Sequence, residues 1–290
     1  MSLELTKQIA DSMPPWLDDA AKRAQPPVQR FLSSRPRLHN LLDGTWLGVP
    51  LHPALTDVPV GAWTSAFTLD LVATVTGSKA AQNAADGALA VGVAGALPAA
   101  ATGAADWRDL IGEERRIATV HALLNVAGLA LNVASLAQRA RGKHGAGRAL
   151  SAAGLAVSGS AAHLGGELSF GLGVRVNHTF PDAPPSDFVA VADETEVQDD
   201  ELKAVTVDGT SVLLARSQSG ELCAIAGTCS HLGGPLGEGG REGDVVTCPW
   251  HGSRFDLCSG AVVEGPAVFA QPRYEVRTTE GKIEVRAAPE

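Results

Sequence analysis

The sequence predicts an α + β protein in two separate domains, a four-helix transmembrane bundle followed by an antiparallel β-sandwich. Three stretches, 87–105, 117–137 and 149–166, run for 18–21 residues without a charged side chain, and a fourth, 58–77, is broken only by Asp70. From residue 188 the chain changes to short runs of alternating apolar and polar residues, punctuated by Asp208-Gly, Ser219-Gly, Ser259-Gly and Glu280-Gly. Among those runs lie two loops rich in Gly and Pro, and each carries one Cys and one His. They read Cys229-Ser-His231 and, after sixteen further residues, Cys248-Pro-Trp-His251.

A bilayer is crossed by about 20 mainly apolar residues in a helix, so each of the four stretches is long enough. They are rich in Ala and Gly rather than Leu and Ile. That composition suits close helix packing in lipid, with Gly92 and Gly95 on the second span and Gly154 and Gly159 on the fourth. Pro98 is expected to kink the second span, which a packed membrane bundle tolerates. Residues 1–50 form an arm without the apolar core of a secretory signal. Leu3, Leu5, Ile9, Met13, Trp16 and Leu17 recur at helical intervals, broken at Pro14-Pro15, Pro26-Pro27 and Pro36. The arm is expected to form short amphipathic helices, lying on a membrane surface or against the bundle. The boundaries follow: arm 1–50, membrane domain 51–175, linker 176–186 around Phe180-Pro-Asp-Ala-Pro-Pro185, and β domain 187–288.

Charge divides the chain in the same way. Residues 1–185 hold 15 Lys and Arg against 14 Asp and Glu, whereas residues 186–290 hold 8 against 18. The acidic second domain suits a basic partner protein and excludes a nucleic-acid binder. With the N-terminus in the cytoplasm, ten Lys and Arg fall on inside segments and five on outside loops. That bias puts both termini inside, with the basic loop 139–148 dissenting. The expected location is a bacterial cytoplasmic membrane, multi-pass, with the β domain on the cytoplasmic side. A reducing cytosol disfavours a bond between the two Cys outside the boxes. Cys223 is therefore read as a small apolar filler and Cys258 as a loop thiol.

Two thiolates and two imidazoles suit a tetrahedral zinc ion as well as an iron–sulfur centre. Placement decides between them, because a zinc finger carries both of its His on one helix, whereas here each of two turn-rich loops gives one Cys and one His. On Cys229-Ser-His231-Leu-Gly-Gly-Pro-Leu-Gly and Cys248-Pro-Trp-His251-Gly-Ser-Arg-Phe-Asp, residues 186–288 resemble a Rieske [2Fe-2S] ferredoxin domain. The resemblance implies that Cys229 and Cys248 bind one iron of a [2Fe-2S] cluster and His231 and His251 the other. Rieske proteins of quinol-oxidising complexes carry an extra Cys in each box, joined as a disulfide. Gly234 and Trp250 occupy those positions here, so the chain resembles the soluble, ferredoxin-type branch. Trp250 and Pro249 are expected to cover the cluster, and Gly233, Gly234 and Gly252 to let backbone N–H groups approach its sulfurs. Ser253 is retained, whereas Phe255 stands where the high-potential branch has Tyr. That exchange points to the lower part of the Rieske range, roughly −150 to +300 mV.

The membrane half has its own resemblance. Leu51-His52-Pro53-Ala-Leu-Thr-Asp57-Val-Pro59-Val-Gly61-Ala and Ala101-Thr-Gly103-Ala-Ala-Asp106-Trp107 are similar to the bacterial membrane family DUF2231 over about 45–175. That family brings no established activity. Ionisable residues within a bilayer are functional candidates, here His52, His121 and His163. His121 near the start of span three and His163 near the end of span four lie at the same membrane face. They are candidates for haem b or quinone binding. The alternative is interhelical hydrogen bonding among His121, Asn125, Asn132, Asp70 and Glu167, including an intrahelical His163–Glu167 pair.

The function expected from these observations is one-electron transfer by a membrane-anchored Rieske protein, with membrane lipid and a redox partner protein (reductase, oxygenase or respiratory component). The alternative is a membrane redox enzyme or sensor whose spans bind haem or quinone and exchange electrons with the cluster. A self-contained Rieske oxygenase is excluded. It needs a second iron on two His and a carboxylate, and none of the 39 residues after His251 is His.

Overall fold

The computed structural model describes residue 8, residues 11–180 and residues 184–288. Leu3, Leu5 and Ile9 of the arm and residues 181–183 of the linker lie outside these. The chain divides into two compact units, residues 1–34 with 51–174, and residues 35–50 with 175–290.

In the first unit, helix α1 (Pro15–Ser33) runs through Pro26-Pro27, where the sequence predicts a break. Side chains on either side of the dipeptide hold it in place. Gln25 Nε2 donates to the carbonyls of Trp107 and Leu110 at 2.9 and 2.8 Å, and Gln29 Nε2 to that of Arg108 at 2.9 Å. Asp18 pairs with Lys22 at 2.7 Å and Arg115 at 3.1 Å, and these partners lower its pKa. Skipping α2 (Pro36–Asp43), which belongs to the second unit, the chain continues with α3 (Leu51–Thr76), α4 (Lys79–Trp107), α5 (Gly112–Ala140) and α6 (His144–Gly166). They form two antiparallel hairpins, α3 with α4 and α5 with α6. Gly77 turns the first at φ +70°, and Ser78 Oγ caps α4 by accepting from the Ala81 N–H at 3.2 Å.

Close approach within each hairpin depends on missing side chains. A Cβ on Gly92 would meet the Trp63 indole at 2.3 Å, and one on Gly128 the Ser158 hydroxyl at the same distance. Gly159, grouped with these by sequence, faces open space. Three of the six helices among the described residues, α3, α4 and α5, are long and apolar enough to cross a membrane. Three of the four expected spans are matched on that measure. Helix α6 has the length, but six glycines and three serines dilute its apolar character and it opens on His144 and Arg148.

The hairpins share a buried ion network. Arg139, 4 % exposed, donates to Asp70 at 2.9 Å, Asp86 at 2.7 Å, Ser135 at 3.1 Å and Ser151 at 2.9 Å. Arg148 lies 3.5 Å from Asp70, so two cations face two carboxylates.

The second unit is the antiparallel β domain. Strands β1 (Val189–Asp193), β2 (Leu202–Val207), β3 (Thr210–Arg216), β4 (Leu222–Ala226), β9 (Arg273–Thr279) and β10 (Lys282–Ala287) make a six-stranded sheet in the order β1-β10-β9-β4-β3-β2. The two-residue turns Asp208-Gly209 and Glu280-Gly281 take positive φ at both positions, the conformation that matches strand twist in a hairpin. A smaller sheet, β5-β6-β7-β8, comprises β5 (Gly240–Glu242), β6 (Val245–Thr247), β7 (Arg254–Asp256) and β8 (Val262–Glu264). Strands β5 and β8 are not expected from the sequence, since Gly240-Arg-Glu242 has no apolar residue and Val262-Val-Glu264 does not alternate. Strand β3 is buried on both faces. Leu213 and Ala215 pack with Val246, Phe255 and Leu257, while Val212 and Leu214 pack with Tyr274, Ile283 and Val285. Helix α2 lies against β8, where the Asn40 carboxamide accepts from the Gly265 N–H at 3.0 Å.

Cys223 on β4 and Cys258 after β7 form a disulfide with Cα atoms 4.8 Å apart, joining the two sheets. The reading of Cys223 as filler and Cys258 as a loop thiol is corrected, since strand pairing brings together residues 35 apart in sequence. A cross-link closing such a loop contributes about 3–4 kcal/mol in the chain-entropy view. Cys258→Ser is expected to lower the melting temperature of the β domain by on the order of 10–20 °C. Calorimetry of the protein with and without reductant checks this, and equal midpoints would contradict it.

Candidate metal centre

The two Cys–His boxes occupy equivalent loops. The first follows β4 and the second joins β6 to β7. In the first, the Cys229 N–H donates to the Gly234 carbonyl at 2.8 Å and the Gly233 N–H to the Cys229 carbonyl at 2.9 Å. In the second, the Cys248 N–H donates to the Ser253 carbonyl at 2.8 Å and the Gly252 N–H to the Cys248 carbonyl at 3.1 Å. Gly233 and Gly252 take φ of +76° and +75°, a region that side chains disfavour, so the same residue type closes both loops.

These closures bring the four candidate ligands together. Cys229 and Cys248 are buried and not disulfide-bonded. The His231 and His251 rings lie 5.1 Å apart, crossed at 86°. Hydrogen bonding from Cys229, helped by the backbone N–H groups of Trp250 and His251, lowers the Cys248 thiol to about 6 against the effect of burial. Cys229 is pushed the other way by its contact with Cys248 and by burial, although the N–H groups of His231 and Leu232 point at its sulfur. Each sulfur thus has the other beside it and two backbone donors aimed at it, the surroundings a metal-bound thiolate needs.

The neighbouring residues complete the cradle. A Cβ on Gly234 would lie 2.8 Å from Cys248 Sγ and 3.2 Å from the Trp250 ring, so the absence of a side chain there leaves room at the sulfur. Trp250 stands beside His251 with ring centres 6.4 Å apart and is 57 % exposed. Ser253 is fully buried, and its Oγ accepts from the Ala267 N–H at 3.0 Å. Phe255 lies in the core beneath the loops. A third segment goes unnoticed in the sequence: Ser230 Oγ donates to the Phe269 carbonyl at 2.7 Å, so residues 267–269 tie both boxes in place. Its run Pro266-Ala-Val-Phe269 has neither ligands nor periodicity to mark it.

The Rieske [2Fe-2S] domain family matches residues 187–275, across both boxes. The ferredoxin component of the naphthalene 1,2-dioxygenase system of Pseudomonas aeruginosa is 30 % identical over 82 residues, 28 % of this chain and 78 % of that protein. The chain belongs to the Rieske [2Fe-2S] family. Ahead of the Rieske domain, residues 48–178 match DUF2231, a predicted membrane protein family. Human apoptosis-inducing factor 3 is 29 % identical over 116 residues, 39 % of this chain. The chain spans only 19 % of that protein's length. Among solved structures, the ferredoxin of carbazole 1,9a-dioxygenase from Nocardioides aromaticivorans is 30 % identical, with a TM-score of 0.33, covering 36 % of this chain and all of that one.

A Rieske domain implies a [2Fe-2S] cluster, and the residues present fit one. Two buried thiols, two adjacent imidazoles, backbone donors at both sulfurs and a glycine where a side chain would collide make up that fit.

Of the candidate membrane histidines, His163 is placed as the alternative reading had it, beside Glu167, and His121 differently from the haem reading. His163 lies 4.0 Å from Glu167 on its own helix and not against His121. His121 instead meets His52, with ring centres 6.2 Å apart.

Proposed function

We propose that the chain is a membrane-anchored one-electron carrier. Cys229 and Cys248 hold one iron of the cluster, and His231 and His251 hold the other. The observation that carries this reading is the matched closure of the two loops, which sets two buried thiols and two imidazoles at one place. A [2Fe-2S] cluster bound there would supply one-electron chemistry. The protein's part is to exclude water from the sulfurs, aim N–H groups at them and leave the His251 edge near the surface beside Trp250. That exposed edge and the acidic surface suit a basic redox partner, either a reductase or an oxygenase of the kind served by the dioxygenase ferredoxins, or a respiratory component.

The three apolar helices, with α6 returning against α5, anchor the domain in lipid. With α6 crossing as a fourth, less apolar helix, both ends of the bundle segment emerge on one side. The Lys and Arg bias assigns that side to the cytoplasm of a bacterial cell. The Cys223–Cys258 disulfide favours a second reading, in which the domain faces an oxidising compartment.

Two measurements test the proposal. Alkaline carbonate extraction of membranes should leave the protein in the pellet, and a redox titration should follow a one-electron curve. A chain released by carbonate, or one that takes up no electron, would refute it. Alkylation of intact cells without reductant decides the side, since thiols at Cys223 and Cys258 mean cytoplasm and a blocked pair means the oxidising face.

A further inference from the structure

The membrane unit is built as two copies of one device. In the first hairpin, His52 on α3 donates its Nδ1–H to the Ala99 carbonyl of α4 at 2.8 Å. Four residues beyond Ala99, Gly103 gives the ring room, since a Cβ there would lie 2.9 Å from it. In the second hairpin, His121 on α5 donates its Nδ1–H to the Ala161 carbonyl of α6 at 2.8 Å. Four residues beyond Ala161, Gly165 gives that ring room, with a Cβ at 3.1 Å. Helices α3 and α5 stand diagonally in the bundle, and the two rings meet across it with planes crossed at 89°.

A carbonyl only accepts, so each Nδ1 carries a proton, and the neutral form of such a ring has its lone pair on Nε2. His121 confirms this tautomer, because Asn125 Nδ2 donates to its Nε2 at 3.1 Å. A ring whose other nitrogen donates to a carbonyl is the usual arrangement of a metal-ligating histidine. With metal–imidazole bonds of about 2 Å, two rings on opposite sides of one ion put their centres about 6 Å apart, and here they are 6.2 Å apart. Among the described residues, no third His, Cys, Asp or Glu joins His52 and His121 in a compact ligating group. The membrane site therefore offers two protein ligands, too few for a bare divalent ion but the right number for iron already held by a macrocycle. Quinone recognition needs donors toward a carbonyl oxygen, and both ring N–H groups are already spent.

We propose that His52 and His121 are the two axial ligands of a haem held between the hairpins. The helices pack far more extensively within each hairpin than between them, so the seam between hairpins is where a planar group enters. Iron at His121 Nε2 displaces the Asn125 amide, which keeps its second bond to the His121 carbonyl at 3.0 Å. This inference does not rest on the cluster.

The test uses the full-length chain purified in detergent, titrated with hemin so that haem supply in the host does not matter. The expected result is one saturable site with the Soret and α bands of low-spin bis-imidazole haem. Its oxidised EPR should show the strongly anisotropic low-spin signal of crossed ring planes. His52→Ala and His121→Ala should each weaken binding by roughly a hundredfold or more, whereas His163→Ala should bind as the parent does. The Rieske EPR signal of the same samples reports whether each variant has folded. No saturable binding by the parent overturns the proposal, as does undiminished binding by the His52→Ala/His121→Ala double variant. If the single variants misfold, the parent's spectrum decides: a high-spin or single-histidine signal overturns it and a bis-imidazole signal supports it.

Discussion

Cys248→Ser is expected to abolish the EPR signal of the reduced protein and its visible absorption. Cys248 Sγ lies between three constraints: the Cys229 thiol, the N–H groups of Trp250 and His251, and the bare Cα of Gly234. A serine hydroxyl is a harder, less acidic donor than a thiolate, so the iron it would hold loses a strong ligand. The remaining residues cannot substitute, because the other pair of cysteines is locked in a disulfide. Gly234→Val should act in the same direction without touching a ligand, since its Cβ alone would press on that sulfur at 2.8 Å. Iron content, acid-labile sulfide and EPR of each variant check both statements. Full retention of the signal in Cys248→Ser would remove that cysteine from the ligand set.

The second large effect is expected in the bundle. Arg139→Ala leaves Asp70 and Asp86 without the guanidinium that satisfies both, and Arg148 at 3.5 Å reaches only Asp70. Removing one partner from a fully buried ion pair costs about 3–5 kcal/mol, and the loss here is smaller because Arg148 still faces Asp70 and the Asp86 side chain is 31 % exposed. The detergent-solubilised protein should therefore melt or aggregate at clearly lower temperature than the parent. Replacing Arg139, Asp70 and Asp86 together by apolar residues of similar size should recover much of that loss, since no orphaned charge remains. A parent-like melting profile for Arg139→Ala alone would show that the network does not hold the hairpins together.

The candidate site was largely legible in the sequence, for a physical reason. A Cys and a His two or three residues apart, followed by a glycine that must take positive φ, define a loop closure almost independently of the rest of the chain. Most strands were legible, the three-residue β6 and β7 among them, whereas β5, which has no apolar residue, and β8 were lost. What the sequence hid is long-range. The Cys223–Cys258 bond depends on how two sheets pack, and the apolar segment 267–269 acts only through its backbone. The His121–His163 pairing failed for a different reason, whereas the alternative His163–Glu167 pair is present. Span ends give the depth of a residue in a bilayer but not the face it occupies. His163 is two residues from Ala161, a rotation of about 200° on a helix, and it is Ala161 that presents its carbonyl to His121. The fourth span was read by length and absence of charge, where glycine and serine leave less apolar surface than in the other three.

The central claim is that Cys229, His231, Cys248 and His251 together hold a [2Fe-2S] cluster. The most direct test is EPR of the full-length protein reduced with dithionite, with iron and sulfide counted in the same sample. The account predicts an anisotropic Rieske-type signal absent before reduction, and two irons and two sulfides per chain, as the cluster type requires. A colourless protein that contains zinc and stays EPR-silent after reduction would contradict it.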